Sequence, residues 1–523
     1  MKNYIFLLLL LFFAYSCAKD DSSLLYPVDN PDFSFISISS PTDSLSVDFG
    51  QEFEFTPEVT QKIKGKSLVY EWSACLKKDG VKNDSIVIGH TQTLQYAFEK
   101  MGTYDLRLEV KNEDYSEFYT WHVDVRVYDE GYMVVGMNEA GQANIAFARI
   151  LSSTDVLEGK ELTFVSDLIG KVNPEFDIRD VIHVRKSILA WGSSDAYLFI
   201  FCKDNIYIAD PLTFEIFAAV DVGGTIPGAR ISKVSIMDTY TTGGTIFTED
   251  GRNLSFQKLE MLLYESVNIS GTYDGFYGNL FYTRGSNMDL AYVNVDYQAS
   301  KIWTTIFYHA GSMPVNNTTN NVEPYEDDFR PNDYAGRDIV TVGRMNGDYF
   351  GGTNTNFWAI ATDKTNAKDV KIVEFGADYA AGISTINAYE YVADEEITLP
   401  MHTELIANAR YASMYYSKGG EIFIWYPGNI PPHNHLPKTA AITLDGNKEV
   451  TCMSVSYDMR ELYVGVYDSD ATGDLKGSLY IYNCADIGSA ANLQPTRKFE
   501  NITSRPVQVL YKPEAWGIYN SGD

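Results

Sequence analysis

Carboxylates at alternate positions, with a glycine sixth to allow the sharp turn, are one way to wrap a backbone around a hard cation. Asp468-Ser469-Asp470-Ala471-Thr472-Gly473-Asp474 has that spacing, so Asp468, Asp470 and Asp474 are candidate calcium ligands. The twelfth position, where such a loop carries a bidentate glutamate, is Leu479, and a polar hairpin turn has the same composition. In Pro431-Pro432-His433-Asn434-His435-Leu436-Pro437 two histidines two residues apart project to one side of an extended segment. With a third ligand such as His402 they could hold a metal, while the prolines also fit a shaped surface loop. A turn-rich stretch from His309 to Asp338 exceeds the usual length of a structureless loop, which is often functional or disordered. Its Tyr325, Phe329 and Tyr334 stand among acids and are the candidate side chains for gripping a partner or stacking on a sugar.

Catalytic signatures are missing. There is no H-E-x-x-H for a zinc peptidase, no G-x-S-x-G elbow and no sialidase box. With 70 Asp and Glu residues no particular pair stands out as glycosidase acid and nucleophile. The expectation is a non-enzymatic protein without a cofactor, calcium at the 468–474 loop being the one exception. Against those 70 acids stand 41 Lys and Arg, a net charge of −29 that repels a phosphate backbone and excludes nucleic acid as a partner. Cys75, Cys202, Cys452 and Cys484 form no C-x-x-C pair. Buried free thiols are the preferred reading, with Cys452 and Cys484 on neighbouring strands as the alternative disulfide.

The elements that must position these residues are nearly all strands: short apolar runs rich in Tyr, Phe, Val and Ile, divided by Gly, Asn and Asp turns. Residues 33–127 hold about seven such runs, with Trp72 in a middle one, as a β-sandwich would. Residues 128–523 read as successive hairpins: 132–136 with 145–147, 197–201 with 206–210, 245–248 with 254–256, 280–282 with 290–293, 357–360 with 370–373, 413–416 with 422–425, and 462–466 with 478–482. One hairpin per 40–60 residues predicts a β-propeller of about seven blades, six or eight remaining open, with 507–511 returning to the first blade. Two stacked sandwiches are the competing architecture.

The first residues carry an address. Met1-Lys2-Asn3, the apolar run Tyr4 to Phe13 and the small residues Ala14 and Ser16 have the form of a secretory signal over residues 1–16, too short for an anchor. Ala14-Tyr15-Ser16-Cys17 resembles the lipobox of bacterial lipoproteins, which makes Cys17 the lipidated first residue of the mature chain, and residues 17–32 a flexible tether. Lys19-Asp20-Asp21 resembles the surface-export signal of Bacteroidota lipoproteins. Asp43-Ser44-Leu45 and Asp84-Ser85-Ile86 resemble their O-glycosylation motif at Ser44 and Ser85.

Gly102-x-Tyr104-x-Leu106-x-Leu108-x-Val110-x-Asn112 resembles the penultimate strand of PKD domains, immunoglobulin-like modules of surface proteins. Tyr70-Glu71-Trp72-Ser73 takes the place of their tryptophan signature without its aspartate-glycine turn. With Tyr128 to Gly136 as the segment opening a propeller, the order of parts is similar to that of the PKD-like family lipoproteins of Bacteroidota. The resemblance implies a cell-surface, lipid-anchored accessory subunit of a nutrient uptake system. Its partners would be a SusC-like TonB-dependent transporter and a SusD-like lipoprotein, and its ligand a peptide or glycan. An independent glycan- or peptide-binding protein and, behind it, a propeller hydrolase are the alternatives.

Overall fold

The computed structural model describes residues 33–513, apart from 79–80, 83–84, 158, 190–194, 237–243, 266–275, 280–289, 298–299, 308–317, 321–333, 347–354, 379–381, 429–433 and 490–492. The chain divides into two compact units, the first ending at Val127 and the second beginning at Tyr128. Among the described residues no helix is long and apolar enough to cross a membrane.

Among its described residues the first unit has ten strands: β1 (Ile36–Ser39), β2 (Ser44–Asp48), β3 (Glu52–Phe55), β4 (Glu58–Gln61), β5 (Val69–Lys78), β6 (Val81–Lys82), β7 (Ile86–Gly89), β8 (Leu94–Ala97), β9 (Gly102–Lys111) and β10 (Ser116–Arg126). Its largest sheet runs β2-β10-β9-β5-β6, with β7 also on β5, while β1 pairs with β4 and β3 with β8. The β2–β10 pair is parallel and the others are antiparallel. Strict alternation on β9 points Tyr104, Leu106, Leu108 and Val110 inward. They meet Trp72 and Trp121, both fully buried, with ring centroids 5.4 Å apart and Phe55 edge-on to each. Burial of the Trp72 indole N–H is satisfied by donation to the Thr91 carbonyl at 2.8 Å. Trp72→Ala is expected to remove about 3–5 kcal/mol from this unit. Limited proteolysis across a urea series, following cleavage within residues 33–127, checks it; an unchanged midpoint would contradict this account of the core.

The described residues of the second unit form seven small sheets in chain order. The first joins β11 (Gly131–Met137) and β12 (Ala143–Arg149) to the last strand of the chain. The second is β13 (Val181–Ile188), β14 (Ala196–Cys202), β15 (Asn205–Ala209) and β16 (Ile216–Asp221). The third is β17 (Ile231–Ile236), β18 (Gly244–Thr248), β19 (Asn253–Gln257) and β20 (Leu262–Glu265). The fourth is β21 (Phe276–Asn279), β22 (Leu290–Asp296), β23 (Lys301–Phe307) and β24 (Thr318–Asn320). The fifth is β25 (Arg337–Asn346), β26 (Thr355–Asp363), β27 (Asp369–Asp378) and β28 (Gly382–Val392). The sixth is β29 (Ile406–Asn408), β30 (Ser413–Lys418), β31 (Glu421–Trp425) and β32 (Ile442–Thr443). The seventh is β33 (Lys448–Val455), β34 (Glu461–Asp468), β35 (Gly477–Asn483) and β36 (Arg497–Thr503).

The remaining strand, β37 (Arg505–Lys512), leaves the seventh sheet and pairs antiparallel with β11, as the sequence predicts for 507–511. The first sheet therefore runs β37-β11-β12, and a single bridge from Phe147 to Val165 stands where a fourth strand would be. Each sheet touches the next. First strands meet first strands at β13–β17–β21 and at β25–β29–β33–β37, the fourth and fifth sheets meet through β22–β27 and β23–β28, and β37 also touches β13. The cycle of neighbours is complete, and the arrangement is propeller-like. Six of the seven hairpins expected from sequence form, five of them as the two middle strands of a four-stranded sheet and the first as β11 with the edge strand β12. In the fourth sheet, residues 280–282 lie outside the described residues, and the 290–293 run pairs with β21 and β23.

Candidate functional site

Five of the seven first strands depart from regular pairing at one equivalent place. Counting along each, the register skips Ile182 on β13, Ser232 on β17, Val340 on β25, Thr451 on β33 and Val507 on β37. A bulge of one residue bends and twists a strand and re-aims the next side chain. The residue after each bulge is His183, Lys233, Thr341, Cys452 and Gln508, all able to hydrogen-bond, and each is followed by Val184, Val234, Val342, Met453 or Val509. The cycle thus carries a ring of polar and ionisable groups at one level.

Some of the ring is spent on holding neighbouring sheets together. The Gln508 amide behaves as a piece of strand backbone: its oxygen accepts from Val184 N–H at 2.8 Å, and its nitrogen donates to the Val184 carbonyl at 3.0 Å. That nitrogen also stands 3.3 Å from His183 Nδ1, which accepts when the neutral ring carries its proton on Nε2. Thr341 Oγ1 donates to the Thr403 carbonyl at 2.7 Å, and on the next level Ser454 Oγ donates to Val509 at 2.7 Å. Burial pushes the Cys452 thiol up to about 12, with the Glu404 carboxylate adding to the effect. The described cysteines, Cys75, Cys202, Cys452 and Cys484, are free thiols, so Cys452 and Cys484 do not pair.

The first strands also carry charged side chains whose burial shifts them. Arg344, on the fifth sheet, is pushed down to about 9, first by burial and then by the charge of Arg185 on the second. Lys233, on the third sheet, is held below the ordinary lysine value by burial, and Glu404, just ahead of the sixth, acts against that lowering. Arg185, Lys233 and Arg344 are each half-buried.

The residues singled out from sequence fall elsewhere. Asp468, Asp470 and Asp474 lie on the β34–β35 hairpin turn, where Asp468 accepts from Asp470 N–H at 3.0 Å and Asp470 from Asn447 Nδ2 at 2.8 Å. Two of the three carboxylates are thus turned to local hydrogen bonds, and among the described residues no three metal-ligating side chains come together. His435 stacks flat on Tyr391 with centroids 3.8 Å apart, while His402 packs on Tyr297; His433 is outside the described residues. Tyr334 is buried in the core with Val295, Ile339 and Phe357, a packing position, and Tyr325 and Phe329 lie outside the described residues. Ser44 and Ser85 are both exposed. Cys17, Lys19, Asp20 and Asp21 lie outside the described residues.

No family model matches the chain, and no curated protein matches it. Among solved structures it is similar to a quinoprotein alcohol dehydrogenase-like protein from Bacteroides thetaiotaomicron, at 14% identity over 90% of this chain and 97% of that one, with a TM-score of 0.48. It is also similar to putative 6-phosphogluconolactonases from Bacteroides uniformis (12% identity, 73% and 99% covered, TM-score 0.42) and Bacteroides fragilis (13%, 73% and 98%, 0.41). These likenesses assign no activity to this chain.

Proposed function

We propose that the protein is an outer-membrane lipoprotein of the cell surface, anchored through Cys17 and exported by Lys19-Asp20-Asp21. Residues 33–127 act as a PKD/Ig-like sandwich spacer, and residues 128–523 as a seven-bladed propeller. Its role is that of a non-enzymatic binding and docking subunit of a SusC/SusD-type uptake system for peptides or glycans. The observation that carries this reading is the closure of the seven-sheet cycle by β37, which ties the end of the second unit to its start. A locked cycle makes a rigid platform whose connecting loops are free to vary for recognition.

A mild-detergent pull-down of the tagged lipoprotein from its own outer membrane, read by mass spectrometry, tests the proposal. Recovery of a TonB-dependent barrel and its SusD-like partner is the expected outcome. Recovery of the lipoprotein alone would replace the docking role with that of an independent glycan or peptide binder.

A further inference from the structure

We propose that β16, the outer strand of the second sheet, takes up an extended stretch of cationic peptide as a further strand. The inference rests on the binding role proposed above and narrows its ligand to peptide. An open sheet edge is a row of unpaired backbone groups, and proteins blunt such edges with short strands, charges or covering chain. The other outer strands show these devices. β12 has the Phe147–Val165 bridge beyond it, and β20, β24 and β32 have four, three and two residues. β36 carries Arg497, Lys498 and Glu500, and β28 is tied through Tyr389 and Tyr391 to the chain at Asn434 and Leu436. β16 is six residues long with no charge from Ile216 to Val220, and its register breaks only at its start, opposite Ala209. Among the described residues no strand pairs with it beyond β15.

The ladder sets which backbone groups are on offer. Val222 N–H donates to the Asp204 carbonyl at 3.0 Å, which makes Tyr207–Ala219 and Asn205–Asp221 the pairs without mutual hydrogen bonds. The N–H and C=O of Ala219 therefore point away from β15, as does the N–H of Asp221. At the start of the strand the Asn173 amide already pairs with this edge as a neighbouring strand would. Its Oδ1 accepts from Ile216 N–H at 2.7 Å and its Nδ2 donates to the Phe214 carbonyl at 2.8 Å. Ala218 and Val220 pack on the core, while Phe217, Ala219 and Asp221 are exposed. Phe217 is 51% exposed and packs with Tyr197 at 4.9 Å between centroids, an aromatic pair for an apolar side chain of the incoming strand. Charge selects the occupant. Glu215 and Asp221 are exposed at the two ends of β16, and the cations next to this sheet are spent, Lys203 on Glu249 and Arg230 on Asp204. A peptide with lysine or arginine at alternate positions meets those acids, whereas a second copy brings a net charge of −29 against them.

The full-length lipoprotein in neutral detergent is titrated against a fluorescent peptide of alternating lysine and valine, read by anisotropy. The same peptide N-methylated along its backbone, and one of alternating glutamate and valine, are the comparisons. The lysine–valine peptide should bind and the other two should not, since one lacks the donors that pair a strand and the other has the wrong charge. Ala219→Pro removes an outward donor and Phe217→Lys places a like charge on the edge, so each should weaken binding about tenfold or more. Ile386→Lys, on β28, should leave it unchanged. No binding of the lysine–valine peptide, equal binding of either comparison peptide, or unaltered affinity in both β16 variants would overturn the proposal. So would a dimer seen by sedimentation and lost in Phe217→Lys, which would give the edge to a second copy. Should the variants fail to fold, the three peptides on the wild-type protein decide by themselves. Strand addition and transporter docking fail separately, because the titration contains no partner and the pull-down needs no added peptide.

Discussion

Removal of residues 505–523 is expected to abolish the folded second unit while the first unit keeps its own stability. The deleted segment contains β37, which supplies the first strand of the first sheet and a neighbour for both β33 and β13. Its loss strips Val509 and Lys512 from buried sites and takes Tyr511 off Tyr132, against which its ring packs at 5.5 Å. It also uncovers the β11 edge and removes the Gln508 amide that stands in for strand pairing on β13. Each large apolar side chain lost is worth about 1.5–3 kcal/mol, so a handful of them consumes the 5–15 kcal/mol that usually holds a domain. Calorimetry of the truncated chain should show one small transition, from residues 33–127, where the full chain shows that transition plus a larger one. A surviving large transition would mean that the cycle does not depend on β37.

The parts of this architecture that can be read from sequence are those buried on both faces. Ala196–Cys202 and Ser413–Lys418 are apolar without alternation because sheets cover them from either side, and such runs announce the middle hairpin of each sheet. The first strands are harder. Val181–Ile188 carries His183, Arg185 and Lys186, and Lys448–Val455 mixes two charges with Cys452, so neither reads as a core strand. Several of those polar residues are tied to partners that the sequence does not show, Lys186 to the Pro513 carbonyl, Lys448 to Tyr480 and Glu449 to Arg505. The bulges hide the site a second time, since one extra residue breaks the period of two on which strand recognition depends. A legible signal did exist: Val-x-His-Val, Ile-x-Lys-Val, Ile-x-Thr-Val, Val-x-Cys-Met and Pro-x-Gln-Val recur at intervals of one or two sheets. Asp468-x-Asp470, by contrast, drew the eye as a cation loop because an Asx-type turn and a calcium loop begin with the same residues.

Lys512→Met is expected to raise the stability of the second unit at pH 6 by about 1–4 kcal/mol, the usual gain when an awkward buried charge gives way to an apolar side chain. Lys512 is fully buried near the end of β37; its ammonium donates to the Asp129 carbonyl and lies 5.5 Å and 5.9 Å from the centres of the Phe147 and Phe214 rings. Burial, and after it the charge of Lys186, pushes the group down to about 7, with Asp129, Asp210 and Glu130 pulling the other way. An unfolded lysine holds its proton until about pH 10.4. Between about 7 and that value the unfolded chain binds one proton more than the folded one, so this group makes stability rise with pH. Below about 7 both states are charged, and the full cost of burying the ammonium is present. Methionine removes that cost, at the expense of one hydrogen bond and two cation–ring contacts, so its advantage should be greatest at pH 6 and shrink by pH 10. Urea melts of both proteins at the two pH values isolate the effect, because the other titrating groups cancel in the difference. A variant less stable than the wild type at pH 6, or a difference that does not change with pH, would show that Lys512 is held as a well-paired cation and that β37 is fastened by its charge.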